Sequence, residues 1–128
     1  MIAIDSSALM AIVLREAGAT ACMTALTEEG ELLISAGTLA EALIVAGRRG
    51  VAEEMAQLVD GLALTVMPVT QACAVRVAAA YARWGRGVHP AGLNFGDCFA
   101  YDVARQAGCG LLFVGGDFGR TDVAVVPI

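Results

Sequence analysis

Short apolar runs alternate with longer stretches of helical periodicity along the whole chain, and that alternation limits the fold more than any other feature. Residues 1–4 read as a buried strand, followed by helices over 6 to about 15 and 19–28. Residues 32–34 read as a second strand, with helices over 38 to about 48 and 51–60 behind it and Gly50 punctuating the joint. A third strand over 64–67 ends near Pro68, and Thr70 caps a long helix reaching about Trp84. Residues 85–92 carry three glycines and a proline and form a loop. A further helix runs from about Phe95 to Gln106 and stops at Gly108, 111–114 is a fourth strand, and 123–126 a very short fifth. Strands and crossovers of these lengths imply a mostly parallel sheet of four to five strands flanked by helices, a three-layer α/β/α sandwich. At 128 residues the chain matches the length of one domain, 1–128.

The hydrophobic fraction, 58 % without glycine, excludes a disordered chain and suggests that a partner or second copy covers some apolar surface. A mean hydropathy of +0.71 raises the question of a membrane span. A spanning helix needs about 20 apolar residues in a row. The best stretches are broken by charge at Glu41, Asp60 and Arg76. The first residues offer no basic lead and place an Asp at position 5, so neither a signal peptide nor a membrane is expected, and a cytoplasmic location is. Cys22, Cys73, Cys98 and Cys109 lack paired spacing and read as small buried hydrophobes, ahead of a disulfide or zinc ligands. The net charge of −5 argues against simple backbone binding to nucleic acid, but all eight basic residues are Arg, the better two-pronged phosphate ligand.

Ligands of parallel sheets bind outside the carboxyl ends of the strands. Asp5 follows strand one directly, and Glu41 sits near the start of the helix after strand two. Asp97 lies in the first turn of a late helix, and Asp117 lies three residues beyond strand four. All four are expected at one edge. Each also has a structural explanation. Thr38 and Glu41 fit a capping box, Asp97 suits a helix N-terminus with Asn94 as cap, and Asp117 suits a turn after Gly115-Gly116. Asp5 is hardest to explain that way, because Ser6 and Ser7 are equally able to cap. Gathered together, four acids repel and raise one another's pKa unless a cation sits between them. Hard oxygen ligands without His or Cys suit Mg²⁺ or Mn²⁺.

The segments around these acids resemble a known family. Ile2-Ala3-Ile4-Asp5-Ser6-Ser7-Ala8-Leu9 resembles the opening motif of PIN domains, and Ser35-Ala36-Gly37-Thr38-Leu39-Ala40-Glu41 the segment supplying their Glu. Leu93-Asn94-Phe95-Gly96-Asp97-Cys98-Phe99-Ala100-Tyr101 is similar to the third acidic motif of VapC-type toxins. Gly115-Gly116-Asp117-Phe118-Gly119-Arg120-Thr121-Asp122 resembles their closing motif, although Gly116 stands where relatives often carry a further polar or acidic group. The four motifs span nearly the whole chain; the third and fourth are the specific ones.

The resemblance implies a PIN-like fold and a Mg²⁺- or Mn²⁺-dependent endoribonuclease, the toxin of a type II toxin–antitoxin pair. It also implies a homodimer and a VapB-like antitoxin that plugs the acidic cleft. By position, Asp5, Glu41, Asp97 and Asp117 are the metal-site and catalytic acids. Ser6 or Ser7 orients Asp5 or a water, and Thr121 shapes the closing loop. Asp122 is expected to be structural. The chemistry implied is hydrolysis of an RNA phosphodiester by metal-activated water, with Asp97 or Glu41 taking the proton. Such chemistry needs no imidazole, so His89 is expected to be a loop or substrate-lip residue. Arg48, Arg49, Arg83 and Arg86 are candidate phosphate contacts, with solvated helix ends as the alternative, and Trp84 is expected to pack. Receiver domains and haloacid-dehalogenase-type phosphatases also collect acids at strand ends, but as families they use a lysine, and this chain has none. A nontoxic PIN nuclease of RNA maturation and a degenerate PIN binding module are the remaining alternatives.

Overall fold

The computed structural model describes all 128 residues. The chain runs β1 (Ile2–Ile4), α1 (Ser6–Val13), α2 (Ala19–Glu28), β2 (Leu32–Ser35), α3 (Ala36–Arg48), α4 (Ala52–Leu62) and β3 (Thr65–Met67). It continues through α5 (Gln71–Trp84), α6 (Phe95–Ala107) and β4 (Gly110–Leu112) to a 3-10 turn over Phe118–Arg120. The strands form one sheet in the order β3-β2-β1-β4, and every neighbouring pair is parallel. Parallel neighbours require crossovers, which the helices supply.

Strand side chains alternate between faces, so each strand feeds two cores. Ile2, Ile4, Leu32, Ile34 and Leu112 pack with Leu9, Leu26, Ala42 and Met55 from the α1–α4 side. Ala3, Leu33, Leu111 and Phe113 pack with Val77, Trp84, Cys98 and Val103 from the α5–α6 side. The sheet is thus the middle of three layers, as expected from the alternation. Covered on both faces, β1 and β2 are buried throughout, which is why they read as unbroken apolar runs. The edge strand β3 is exposed along its length. No helix is long and apolar enough to cross a membrane. All four cysteines are free, and Cys22, Cys73 and Cys98 are buried.

Three local expectations change. Helix α3 begins at Ala36, because the Ser35 Oγ accepts from the Gly37 N–H at 3.1 Å and caps it; Thr38, the expected cap, lies inside the helix and is fully buried. Strand β4 ends at Leu112, since the Val114 N–H turns aside to donate to the Ser7 Oγ at 3.0 Å. The expected fifth strand reduces to one parallel bridge, Leu111 with Val125, and Pro127 has no N–H with which to extend it. Elsewhere the punctuation holds: Thr70 caps α5 through the Cys73 N–H at 3.2 Å, and Gly108 closes α6 in the left-handed conformation at φ 63°.

The chain lays β2 and β3 on one side of β1, then crosses to place β4 on the other. Next to β1, therefore, two crossovers leave in opposite directions and a crevice opens at the strand ends.

Ile34 is fully buried in the centre of the sheet, whereas Ile44 is 61 % exposed. Ile34→Ala should lower the unfolding free energy by roughly 2–5 kcal/mol in urea titration. Ile44→Ala should stay within about 0.5 kcal/mol of the parent. Equal effects would contradict this assignment of the core.

Candidate active site

Asp5 leaves β1 at the crevice and is the N-cap of α1, its Oδ2 accepting from the Ser7 N–H at 3.0 Å. The residue is 3 % exposed, and its Oδ1 is buried without any hydrogen-bond partner. Burial pushes the Asp5 carboxyl up to about 6; the Ser7 hydrogen bonds oppose that shift, and the charges of Asp97 and Glu41 add to it. Desolvation, more than the mutual repulsion expected from the sequence, therefore sets its proton affinity.

Glu41 reaches the same crevice from the second turn of α3. Its Oε1 accepts from the Ser6 hydroxyl at 2.7 Å. Its carboxylate lies so close to the Gly96 Cα that any Cβ there would collide with it. The capping box expected for Glu41 is absent from α3 and is found in α6 instead. There the Asn94 Oδ1 accepts from the Asp97 N–H at 2.8 Å, and the Asp97 Oδ2 accepts from the Asn94 N–H at 2.9 Å. Partial burial raises the Asp97 pKa, the Asn94 N–H opposes the rise, Glu41 and Asp117 reinforce it, and Arg86 lowers it.

Asp117 stands on the exposed loop after Gly115-Gly116, at the head of the 3-10 turn. Thr121 closes that turn, its hydroxyl donating to the Phe118 carbonyl at 2.7 Å and accepting from the Val123 N–H at 3.2 Å. Asp5, Glu41 and Asp97 thus come within electrostatic reach of one another, and Asp117 joins them through Asp97. No three such side chains stand close enough to enclose a metal ion in this arrangement.

The other candidates are placed as follows. His89 is in the loop after α5, where its Nδ1 accepts from the Ala91 N–H at 3.0 Å and its ring meets the Trp84 indole edge-on. Trp84 is buried and donates from Nε1 to the Tyr101 hydroxyl at 3.1 Å. Tyr101 in turn donates to the Asp122 Oδ1 at 2.5 Å, anchoring the end of the closing loop. Arg48 lines the groove beside Glu41, and Arg49 is exposed at the end of α3. Gly96 and Tyr101 are the functional neighbours that sequence reasoning missed. A glycine in the first turn of a helix, where its propensity is poor, was the only signal for Gly96.

A shared pattern emerges in the three inner acids. Each has one oxygen held by a donor of the chain, namely Ser7 N–H, Ser6 Oγ–H or Asn94 N–H. The second oxygen accepts no hydrogen bond from the protein, and for Asp5 it is also sealed from water. A set of hard oxygens, with no imidazole or thiolate among them, fits a divalent cation of the Mg²⁺ or Mn²⁺ kind.

Comparison with known proteins leads the same way. The PIN domain family profile matches residues 2–124. Ribonuclease VapC28 of Mycobacterium tuberculosis is 39 % identical over 124 residues, covering 94 % of this chain and 93 % of that protein. The crystal structure of M. tuberculosis VapC20, described as a sarcin–ricin loop cleaving toxin, superposes with a TM-score of 0.81 at 19 % identity over 100 % of both chains. A toxin–antitoxin complex from Klebsiella pneumoniae contains a chain with a TM-score of 0.74 at 17 % identity, covering 100 % of this chain and 98 % of that one. Motif, crevice and near-full-length kinship agree, and the chain belongs to the PIN domain family, among the VapC ribonucleases.

Proposed function

We propose that residues 1–128 act as one PIN domain, a divalent-metal-dependent endoribonuclease that serves in the cytoplasm as the toxin of a type II toxin–antitoxin pair. The observation that carries this reading is the buried, partnerless Oδ1 of Asp5. An ionised carboxylate in that position costs several kcal/mol unless a positive charge meets it. A cation resolves the conflict, and Mg²⁺ or Mn²⁺ suits the donors. Asp5, Glu41, Asp97 and Asp117 would hold it. When bound, such an ion neutralises charge on a scissile phosphate and acidifies water.

The chain's own groups do the rest. Ser7 N–H holds Asp5, Ser6 holds Glu41, and the capping box holds Asp97, so each carboxylate is anchored by one oxygen before substrate arrives. Glu41 or Asp97 would then take a proton from the attacking water. An RNA substrate and a VapB-like antitoxin are the partners in this reading, and kinship with ribonuclease VapC28 and the fold shared with the Klebsiella complex support it. Beside the acids lies an apolar groove lined by Val69, Tyr81, Phe95 and Phe99, with Phe95 68 % exposed. Uncovered apolar surface of this kind supports an obligate partner, either the antitoxin or the second protomer of a homodimer.

RNA cleavage by the purified protein should require Mg²⁺ or Mn²⁺. Asp5→Asn and Asp97→Asn should each lower it at least about 100-fold, beyond what loss of a supporting residue costs. Cleavage persisting in excess chelator would sink the metal-nuclease reading. Expression should arrest growth, and the same two substitutions should relieve the arrest.

Gly96→Ala should displace the Glu41 carboxylate and reduce kcat by roughly 10- to 100-fold with little change in RNA affinity. Unchanged turnover would remove Glu41 from the site.

A stability measurement tests the cation independently. Asp5 has a folded pKa of about 6 against an ordinary value of 3.8, so the folded state binds the extra proton between those limits. Metal-free protein should therefore be most stabilised by this group below about pH 4 and should lose that contribution as pH rises through about 6, by roughly 1–3 kcal/mol. At pH 7 Mn²⁺ should raise Tm. Asp5→Asn, which keeps the cap, should make the metal-free protein more stable than the parent at that pH and abolish the Mn²⁺ response. A metal-free parent that gains stability across that window would refute the assignment.

A further inference from the structure

Charge is unevenly distributed along this chain. Residues 1–67 hold nine acids and three arginines, whereas residues 68–128 hold four acids and five arginines. Two of those four acids, Asp97 and Asp117, belong to the proposed metal site. The α5–α6 layer and closing loop are therefore basic on a protein that is acidic as a whole. A third acid, Asp102, is paired bidentately with Arg76 at 2.7 and 3.1 Å, which neutralises both.

The remaining charges are unbalanced. Arg83, from the end of α5, and Arg105, from the last turn of α6, both turn to one oxygen of Asp122, at 3.5 and 3.7 Å. A committed guanidinium–carboxylate bond is about 2.7–2.9 Å. The other oxygen of Asp122 is already taken by the Tyr101 hydroxyl. Two guanidinium groups thus share part of one carboxylate, leaving a surplus positive charge and several unused N–H donors. The side chains of Arg83 and Arg105 are 64 % and 51 % exposed, and they line a surface cavity of about 250 Å³ with Arg76, Trp84 and Tyr101. Arg83 also lies 4.4 Å from the centre of the Trp84 ring, which holds its guanidinium without neutralising it.

The segment after α5 brings the patch toward the acids. Arg86 is exposed, two residues past α5, and forms no ion pair; its backbone N–H donates at 3.0 Å to the carbonyl of Leu93, the residue before the Asn94–Asp97 capping box. Arg105 lies eight residues beyond Asp97 on α6, about 12 Å along the helix axis.

We propose that Arg83 and Arg105, linked to the acid site by Arg86, hold phosphates of the RNA strand that flanks the scissile bond. This rests on the ribonuclease reading and deepens it. It resolves how an acidic protein grips a polyanion: the acids face the metal, and the backbone is held on a separate arginine surface whose charge Asp122 tempers. Asp122 then acts as a brake on affinity, by occupying the guanidinium groups that the strand would otherwise claim in full.

The test is fluorescence anisotropy of the full-length protein with labelled single-stranded RNA, in excess chelator to stop turnover, across a series of salt concentrations. For Arg83→Gln/Arg105→Gln the dissociation constant should rise on the order of tenfold. The slope of log K against log salt should become shallower by about 0.7 for each phosphate that the variant no longer holds. Asp122→Asn keeps an acceptor for Tyr101, and it should tighten RNA binding and steepen the slope, an outcome that a purely structural role does not give. Circular dichroism melts confirm that the variants fold. A salt slope unchanged in the double variant, together with no tightening in Asp122→Asn, would overturn the proposal and leave the patch to an acidic protein partner. Cleavage assays with Mg²⁺ separate the two ideas: an inactive parent that still shows these slopes refutes the nuclease reading alone.

Discussion

Asp5 sits where the central strand of the sheet ends, and its buried carboxylate is the constraint around which the rest is arranged. One oxygen starts α1 by accepting from Ser7; the other is sealed from water with nothing to meet it. A cap contributes about 0.5–2 kcal/mol, and a serine supplies nearly the same. Burying a carboxylate without a partner costs more than that. Capping alone therefore does not account for an aspartate here, and the surplus cost is what motivates the proposed cation at this position. The topology makes the burial unavoidable: β1 has neighbours on both sides and helices on both faces, so the first residue beyond it is still inside the protein.

From that point the other acids are drawn in by packing. Helices α3 and α6 approach closely because each seats a side chain of the other on a glycine, the Phe99 ring on Gly37 and the Glu41 carboxylate on Gly96. Each glycine costs its helix up to about 1 kcal/mol relative to alanine. In return Glu41 and Asp97, from different helices, come within electrostatic reach of one another. Arg76, Arg83 and Arg105 lie in the outer α5–α6 layer, paired with Asp102 and Asp122, whereas Arg48 lines the groove beside Glu41 and Arg86 lies near Asp97.

The sheet, its parallel direction and the convergence of the acids were legible because apolar periodicity and strand–helix alternation are local in sequence. The errors arose where a choice among local partners is decided in three dimensions. Ser35 and Thr38 are both good caps, and only the path of α3 off the strand selects Ser35. The same ambiguity placed a capping box on Glu41, when Glu41 is turned instead toward Ser6, thirty-five residues away. At Asp97 the capping explanation holds, since it closes a capping box with Asn94, while its second oxygen accepts no hydrogen bond from the protein. The chain of bonds from Trp84 through Tyr101 to Asp122 joins three segments distant in sequence, and no spacing rule connects them.

That double duty has a wider consequence for how fold and chemistry relate in this chain. Asp5, Glu41 and Asp97 each divide their two oxygens: one is spent on a donor within the protein, and the other is withheld. The spent oxygen fixes the rotamer and contributes to a helix start or an interhelical contact, so it belongs to folding. The withheld oxygen contributes nothing to folding, and for Asp5 it opposes it. A carboxamide in place of the carboxylate can keep the first bond while presenting an amide to the site in place of an anion. The two roles are therefore chemically separable although they share one side chain. In the metal-dependent reading proposed above, metal-free protein carries an electrostatic cost at Asp5, and a bound cation would lower that cost while assembling the site. On that reading, stability and activity would rise together on metal binding, through the same oxygen of Asp5.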